Sequence, residues 1–116
     1  MDEGERMRRE VLGDEHVDRT LGSASEYARP FQDYLTDVAW GKVWARPGLD
    51  RRTRSCLTLA LLTALRAENE LAMHVRAAIR NGVTPEEIRE AIIHAGLYAG
   101  IPTANAAMKI ADQELG

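Results

Sequence analysis

The chain has 116 residues, 45% of them hydrophobic, enough for one soluble domain over residues 1–116 but with so modest a core that oligomerisation is expected. Lys and Arg number 15 against 18 Asp and Glu, a net charge of -3 without any block of like charge, which argues against a nucleic-acid partner. No apolar run reaches membrane-spanning length, the charged N-terminus lacks a signal-like stretch, and the single Cys56 precludes an internal disulfide or a Cys-x-x-Cys pair, so a reducing, cytoplasmic setting is expected.

Residues 2 to 12 read as a short charged helix stopped at Gly13, and His16 to Leu21 as a second before the Gly22-Ser23-Ala24-Ser25 break. From Pro30 to Trp44, Phe31, Leu35, Val38, Ala39 and Trp44 recur at helical spacing, with Pro30 suited to a first turn. Trp40 and Trp44 lie one turn apart, as core or interface anchors or as walls of a ligand site. Arg46-Pro47-Gly48-Leu49 cannot continue a helix, and Asp50 is placed to cap a new one starting at Arg51. Leu57, Leu59, Ala60, Leu61, Leu62 and Ala64 make that helix apolar almost all round, which marks it as the centre of the core or of an oligomer. Arg51, Arg52 and Arg54 crowd its first turn, where cations oppose the helix macrodipole. A bound carboxylate would compensate them, and the guanidinium fork suits one; solvent and Asp50 offer the alternative.

The Glu68 to Gly82 stretch predicts a helix whose buried stripe is Leu71, Val75, Ala78 and Ile79, with Arg76 and Arg80 on the wet side. Glu70 and His74 flank the stripe one turn apart, so the carboxylate can hydrogen-bond the imidazole and choose its tautomer. They form either a surface pair contributing ~0.3 kcal/mol or an acid/base pair. Thr84-Pro85-Glu86-Glu87 is a capping box with proline at the first helical position, and Val83 with Ile88 forms a hydrophobic staple. The helix that follows runs through Ala91, Ile92, Ala95 and Tyr98 to Ala99 and stops at Gly100. His94 sits between its apolar and polar sides, as a packed, surface or site residue. A last helix opens at Ile101-Pro102, and its Ala104, Ala107 and Ala111 permit close packing. No stretch alternates like a strand, so the fold class is all-α. His16, His74 and His94 lie on different segments without a ligand cluster, so no metal site is expected.

Several spaced blocks occur in an order that closely resembles the 4-carboxymuconolactone decarboxylase (gamma-carboxymuconolactone decarboxylase) family. They are Ala39-Trp40-Gly41-x-x-Trp44-x-Arg46-Pro47-Gly48-Leu49-Asp50-Arg51-Arg52-Thr53-Arg54, then Glu70-Leu71-Ala72-x-His74-Val75-Arg76-Ala77-Ala78-x-Arg80-Asn81-Gly82, then Thr84-Pro85-Glu86-Glu87-Ile88 and Tyr98-x-Gly100-x-Pro102-x-Ala104-Asn105. Val11-Leu12-Gly13-Asp14-x-His16-Val17 fits the same pattern near the start. The resemblance implies an alkyl hydroperoxidase D-like helical domain with a central helical hairpin, assembled as a trimer or hexamer. It further implies cofactor-free conversion of a dicarboxylate lactone to 3-oxoadipate enol-lactone and carbon dioxide, in protocatechuate breakdown through the beta-ketoadipate pathway. Hydroperoxide-reducing relatives carry a Cys-x-x-Cys pair where Ala67 and Glu70 stand here, and both thiols are missing.

For that reaction His74, oriented by Glu70, is the expected proton donor or oxyanion partner. Arg51, Arg52 and Arg54 are the expected carboxylate holders, and Trp40, Trp44, Tyr98 and His94 complete the substrate-binding set. Two alternatives stand beside this reading. One is a hydroperoxide-reducing relative that uses Cys56, and the other is a non-catalytic helical oligomer that binds a small acid.

Overall fold

Side-chain caps open three of the helices. In a computed structural model covering residues 1–116, the Asp2 carboxylate accepts the Glu5 N–H at 2.8 Å and opens α1 (Glu3–Leu12). Gly13, at φ 93°, separates it from α2 (Asp14–Ser23). Asp50 opens α4 (Arg51–Leu65) and Thr84 opens α6 (Pro85–Ala99) in the same manner, the latter through the complete capping box expected from Thr84 and Glu87. Gly82 and Gly100 hold positive φ at the ends of the helices they follow, where a side chain would be strained. The remaining elements are α3 (Arg29–Leu35), a π-helix (Thr36–Trp44), α5 (Glu68–Arg80) and α7 (Ile101–Leu115). The fold is therefore all-α, and it forms two compact units, residues 1–49 and 50–116.

In the first unit α1 packs on the π-helix. A Cβ on Gly4 would lie 2.4 Å from the Thr36 carbonyl oxygen, so only glycine allows this approach. Gly4, Arg8 and Val11 form the buried face of α1, and Val17 that of α2. The single α-helix expected from Pro30 to Trp44 is corrected: the chain is α-helical only through Leu35 and then widens, with the Ala45 N–H reaching back to the Trp40 carbonyl at 3.2 Å. Recurrence of apolar residues does not separate an i→i+4 from an i→i+5 ladder, which is why the spacing was misleading. Phe31, expected on the apolar stripe, is exposed, whereas Trp40 is buried.

The second unit surrounds a core of Leu59, Leu71, Val75, Ala78, Val83, Ile88, Ile92, Ala107 and Ala111. α4 and α5 are joined through Arg66, which takes the left-handed conformation at φ 57°, and they pack together as a helical hairpin. α6 meets α7 where a Cβ on Gly96 would come within 2.5 Å of Ala104 Cβ. Two sequence expectations change here. α4 buries only Ser55, Leu59 and Thr63, leaving Leu57, Leu61 and Leu65 exposed, so it is half-covered in this unit. On α5 the buried arc is turned toward Ala77, which leaves Ile79 at the opposite edge and 42% exposed.

Candidate functional site

The first turn of α4 is the most charged part of the second unit. The Asp50 carboxylate accepts the Thr53 N–H at 2.7 Å, and this bond, assisted by Arg52, holds its carboxyl below the usual carboxylate range. Because that pKa is depressed on folding, the contribution of Asp50 to α4 is present at neutral pH and is lost as pH falls through the lowered value. Arg51 and Arg52 are exposed and Arg54 is half-buried. Arg52 pairs with one oxygen of Glu87, whose other oxygen accepts the Thr84 N–H at 2.9 Å, so the starts of α4 and α6 are joined. The end of α5 is tied to the same place by Asn81 Nδ2, which donates to the buried Ser55 hydroxyl at 3.2 Å.

His74 stands seven residues before Asn81, about 10 Å back along the α5 axis at 1.5 Å per residue. It is half-buried between the buried Leu71 and Val75, and Glu70 is exposed one turn earlier. Nearby charge on the outer side is engaged elsewhere, since Arg76 pairs with Glu114 of α7. The arginine turn and the Glu70/His74 pair thus lie on one hairpin but at least about two helical turns apart along its axis.

A second constellation runs along α6. His94 packs against Tyr98 with ring centroids 5.6 Å apart and planes tilted by 49°. Glu90, Ile93, His94, Leu97 and Ile101 line an open concavity of ≈ 450 Å³, and Tyr98 beside it is 81% exposed. This groove was not foreseen, although Glu90, His94 and Tyr98 at four-residue spacing were the signal for it. Another concavity of ≈ 400 Å³, lined by Ile88, Arg89, Asn105, Met108 and Lys109 among others, contains none of the expected site residues. Its two cations converge only because α6 and α7 pack together, a relation absent from linear spacing.

In the first unit Trp40 and Trp44 do meet, with ring centroids 5.2 Å apart and planes tilted by 31°. Trp40 is 5% exposed and acts mainly as a packing anchor, while Trp44 is half-buried. Cys56 is a free, half-buried thiol packed against the second unit's core. No group of three or more His, Cys, Asp or Glu is arranged to hold a metal ion, and no helix is long and apolar enough to cross a membrane.

Residues 29–113 match the carboxymuconolactone decarboxylase family. The chain is 50% identical over 111 residues to a 4-carboxymuconolactone decarboxylase of Acinetobacter baylyi, covering 96% of this chain and 83% of that protein. It is 48% identical over 114 residues to a nitrosuccinic acid decarboxylase of Metarhizium robertsii, covering 98% of this chain and 80% of that protein. A shorter similarity, 37% over 79 residues, links it to an uncharacterised protein of Paracoccus denitrificans and covers 66% of this chain and 59% of the other.

Proposed function

The chain belongs to the carboxymuconolactone decarboxylase family, and from this premise we propose that it is a carboxy-lyase that converts 4-carboxymuconolactone to 3-oxoadipate enol-lactone and carbon dioxide. The observation that carries the proposal is the 50% identity, sustained over 96% of the chain, to a protein of that name. The family match crosses the boundary between the two units, so both are assigned to one functional domain. The setting assigned is the cytoplasm, where protocatechuate breakdown through the beta-ketoadipate pathway would supply the lactone.

The substrate carries its own electron sink. When the bond from the quaternary ring carbon to its carboxylate breaks, the electron pair passes through the ring double bond to the lactone carbonyl, and the ring carbon beside that carbonyl then takes a proton. The protein's tasks are to hold the dianion, stabilise charge on the carbonyl oxygen and deliver the proton. Arginine from the set Arg51, Arg52 and Arg54 is assigned to the acetate arm, since a guanidinium fork matches a carboxylate. A strong ion pair to the departing carboxylate would hold the ground state more than the transition state, so apolar surroundings suit that end. His74 is assigned the proton, with Glu70 orienting its ring.

The 48% identity to a nitrosuccinic acid decarboxylase motivates a second substrate reading, because a nitro group beside the departing carboxylate is an electron sink of the same kind. Purified protein mixed separately with the carboxylactone and with nitrosuccinate decides between them. Carbon dioxide is expected from the lactone with kcat/KM at least ~10-fold higher, since that ratio measures discrimination. The reverse ratio reassigns the substrate, and release from neither removes the decarboxylase reading in favour of simple acid binding.

The working form is proposed to be a homo-oligomer, a trimer or hexamer. Leu57, Leu61 and Leu65 on α4, with Ile93, Leu97 and Tyr98 on α6 and Ile101 at the start of α7, expose more large apolar side chains than one small unit ordinarily leaves in water. Because His94 and the α6 groove lie within this set, a second copy would also close that groove. Light scattering should give a mass several times 12.9 kDa. Leu61→Asp combined with Leu97→Asp should lower it, and a stable wild-type monomer at micromolar concentration would refute the assignment.

A further inference from the structure

Two adjacent arginines of α1 have opposite surroundings. Arg9 is met by three carboxylates, Glu5 at 3.0 Å, Asp14 at 3.3 Å and Asp18 at 2.8 Å. Arg8 is 4% exposed, yet its only hydrogen bond is from Nη1 to the Thr36 hydroxyl at 2.9 Å, and its Nε is closed to solvent without an acceptor. Burial lowers its pKa, the direction expected of a cation removed from water with no anion beside it. A tie to Thr36 alone does not call for a charge, because a neutral donor would make the same bond. Thr36 is also the first residue of the π-helix, a rare element found frequently at functional sites.

We propose that Arg8 is the receiving residue of a carboxylate site in the first unit, and that its ligand is a small dicarboxylate. With Nη1 committed to Thr36, the edge that remains is the one formed by Nε and Nη2, whose parallel N–H groups match the two oxygens of a carboxylate. The close approach of Gly4 to the Thr36 carbonyl brings α1 against the π-helix, where Arg8 reaches the Thr36 hydroxyl. Because Nε is shielded, the anion gains it only when α1 shifts from the π-helix, and the observed binding rate should level off as ligand rises. The choice of a dicarboxylate rests on the decarboxylase reading above; the existence of the site does not.

The chain's two tryptophans, Trp40 and Trp44, sit on the same π-helix as Thr36 and report on it. Titrating the full chain with succinate should change tryptophan emission saturably, and acetate should do so only at concentrations at least ~10-fold higher, having one carboxylate instead of two. Arg8→Met should abolish the succinate response. Arg8→Lys, which keeps a charge but lacks the fork, should weaken it ~10-fold or more, and this variant decides the matter should Arg8→Met lose its circular dichroism. No saturable response in the wild type, or an equal response in Arg8→Lys, overturns the proposal. A smaller oligomer in Arg8→Met, with no succinate response in the wild type, would instead identify the missing anion as a side chain of another copy. Succinate binding is read without turnover, so it can fail while carbon dioxide release succeeds, and the reverse.

Discussion

Replacing His74 with asparagine is expected to lower kcat for carbon dioxide release by ~10²–10⁴-fold, the range typical of a lost general acid or base. Asparagine keeps a hydrogen-bond donor in similar volume but cannot transfer a proton, so the loss isolates the chemical role. The side chain is only half-buried at the edge of the α5 stripe, and the core beneath it is supplied by Leu71 and Val75, so helicity should survive. KM should change little if arginines at the start of α4 carry binding, at least about two helical turns away. Glu70→Gln should cost less than His74→Asn, because the ring remains while control of its tautomer weakens. The pH profile of kcat should lose one limb in His74→Asn, since an imidazole is the side chain that ordinarily changes charge near neutrality. Near-wild-type kcat in a variant with intact helicity and oligomer size would make His74 a packing residue. The proton would then be assigned to the His94 and Tyr98 pair on α6, whose rings already touch.

What could be read from the chain, and what could not, divides by the range of the interaction. Asp50, Thr84, Glu87 and Gly100 act within three or four residues of themselves, and each ends or begins a helix where its chemistry predicts. Trp40 with Trp44, and His94 with Tyr98, were identifiable for the same reason, because four residues along a helix place two rings side by side. The pairing of Arg52 with Glu87 spans 35 positions, and nothing in the local pattern distinguishes Arg52 from Arg51 or Arg54. The π-helix escaped because apolar residues four positions apart, such as Trp40 and Trp44, are neighbours in both ladders. Gly4 looked like an ordinary residue of a charged helix, and its reason for being glycine is a carbonyl 32 positions away.

The leucines of α4 show the same limit in energetic form, and Leu59→Ala is expected to destabilise the folded chain by about 2–5 kcal/mol. All of them satisfy a reading of the helix as apolar on every side, yet Leu59 is fully buried while Leu61, only two positions on, is 61% exposed. Truncating Leu59 removes methyl groups from contact with a cluster that includes Val75, Ile88 and Ile92, and α4 is held by its packing on both α5 and α6, so the cavity cannot simply collapse. Truncating Leu61 removes atoms that already touch water, and its cost to the fold of one chain should stay within about 0.5 kcal/mol. Urea midpoints for the two alanine variants, measured at one protein concentration and with oligomer mass recorded alongside, test the contrast. A large loss in Leu61→Ala accompanied by a smaller oligomer would trace its stabilisation to the interface between copies. Equal, small losses in both variants would mean that Leu59 does not anchor α4 to the core.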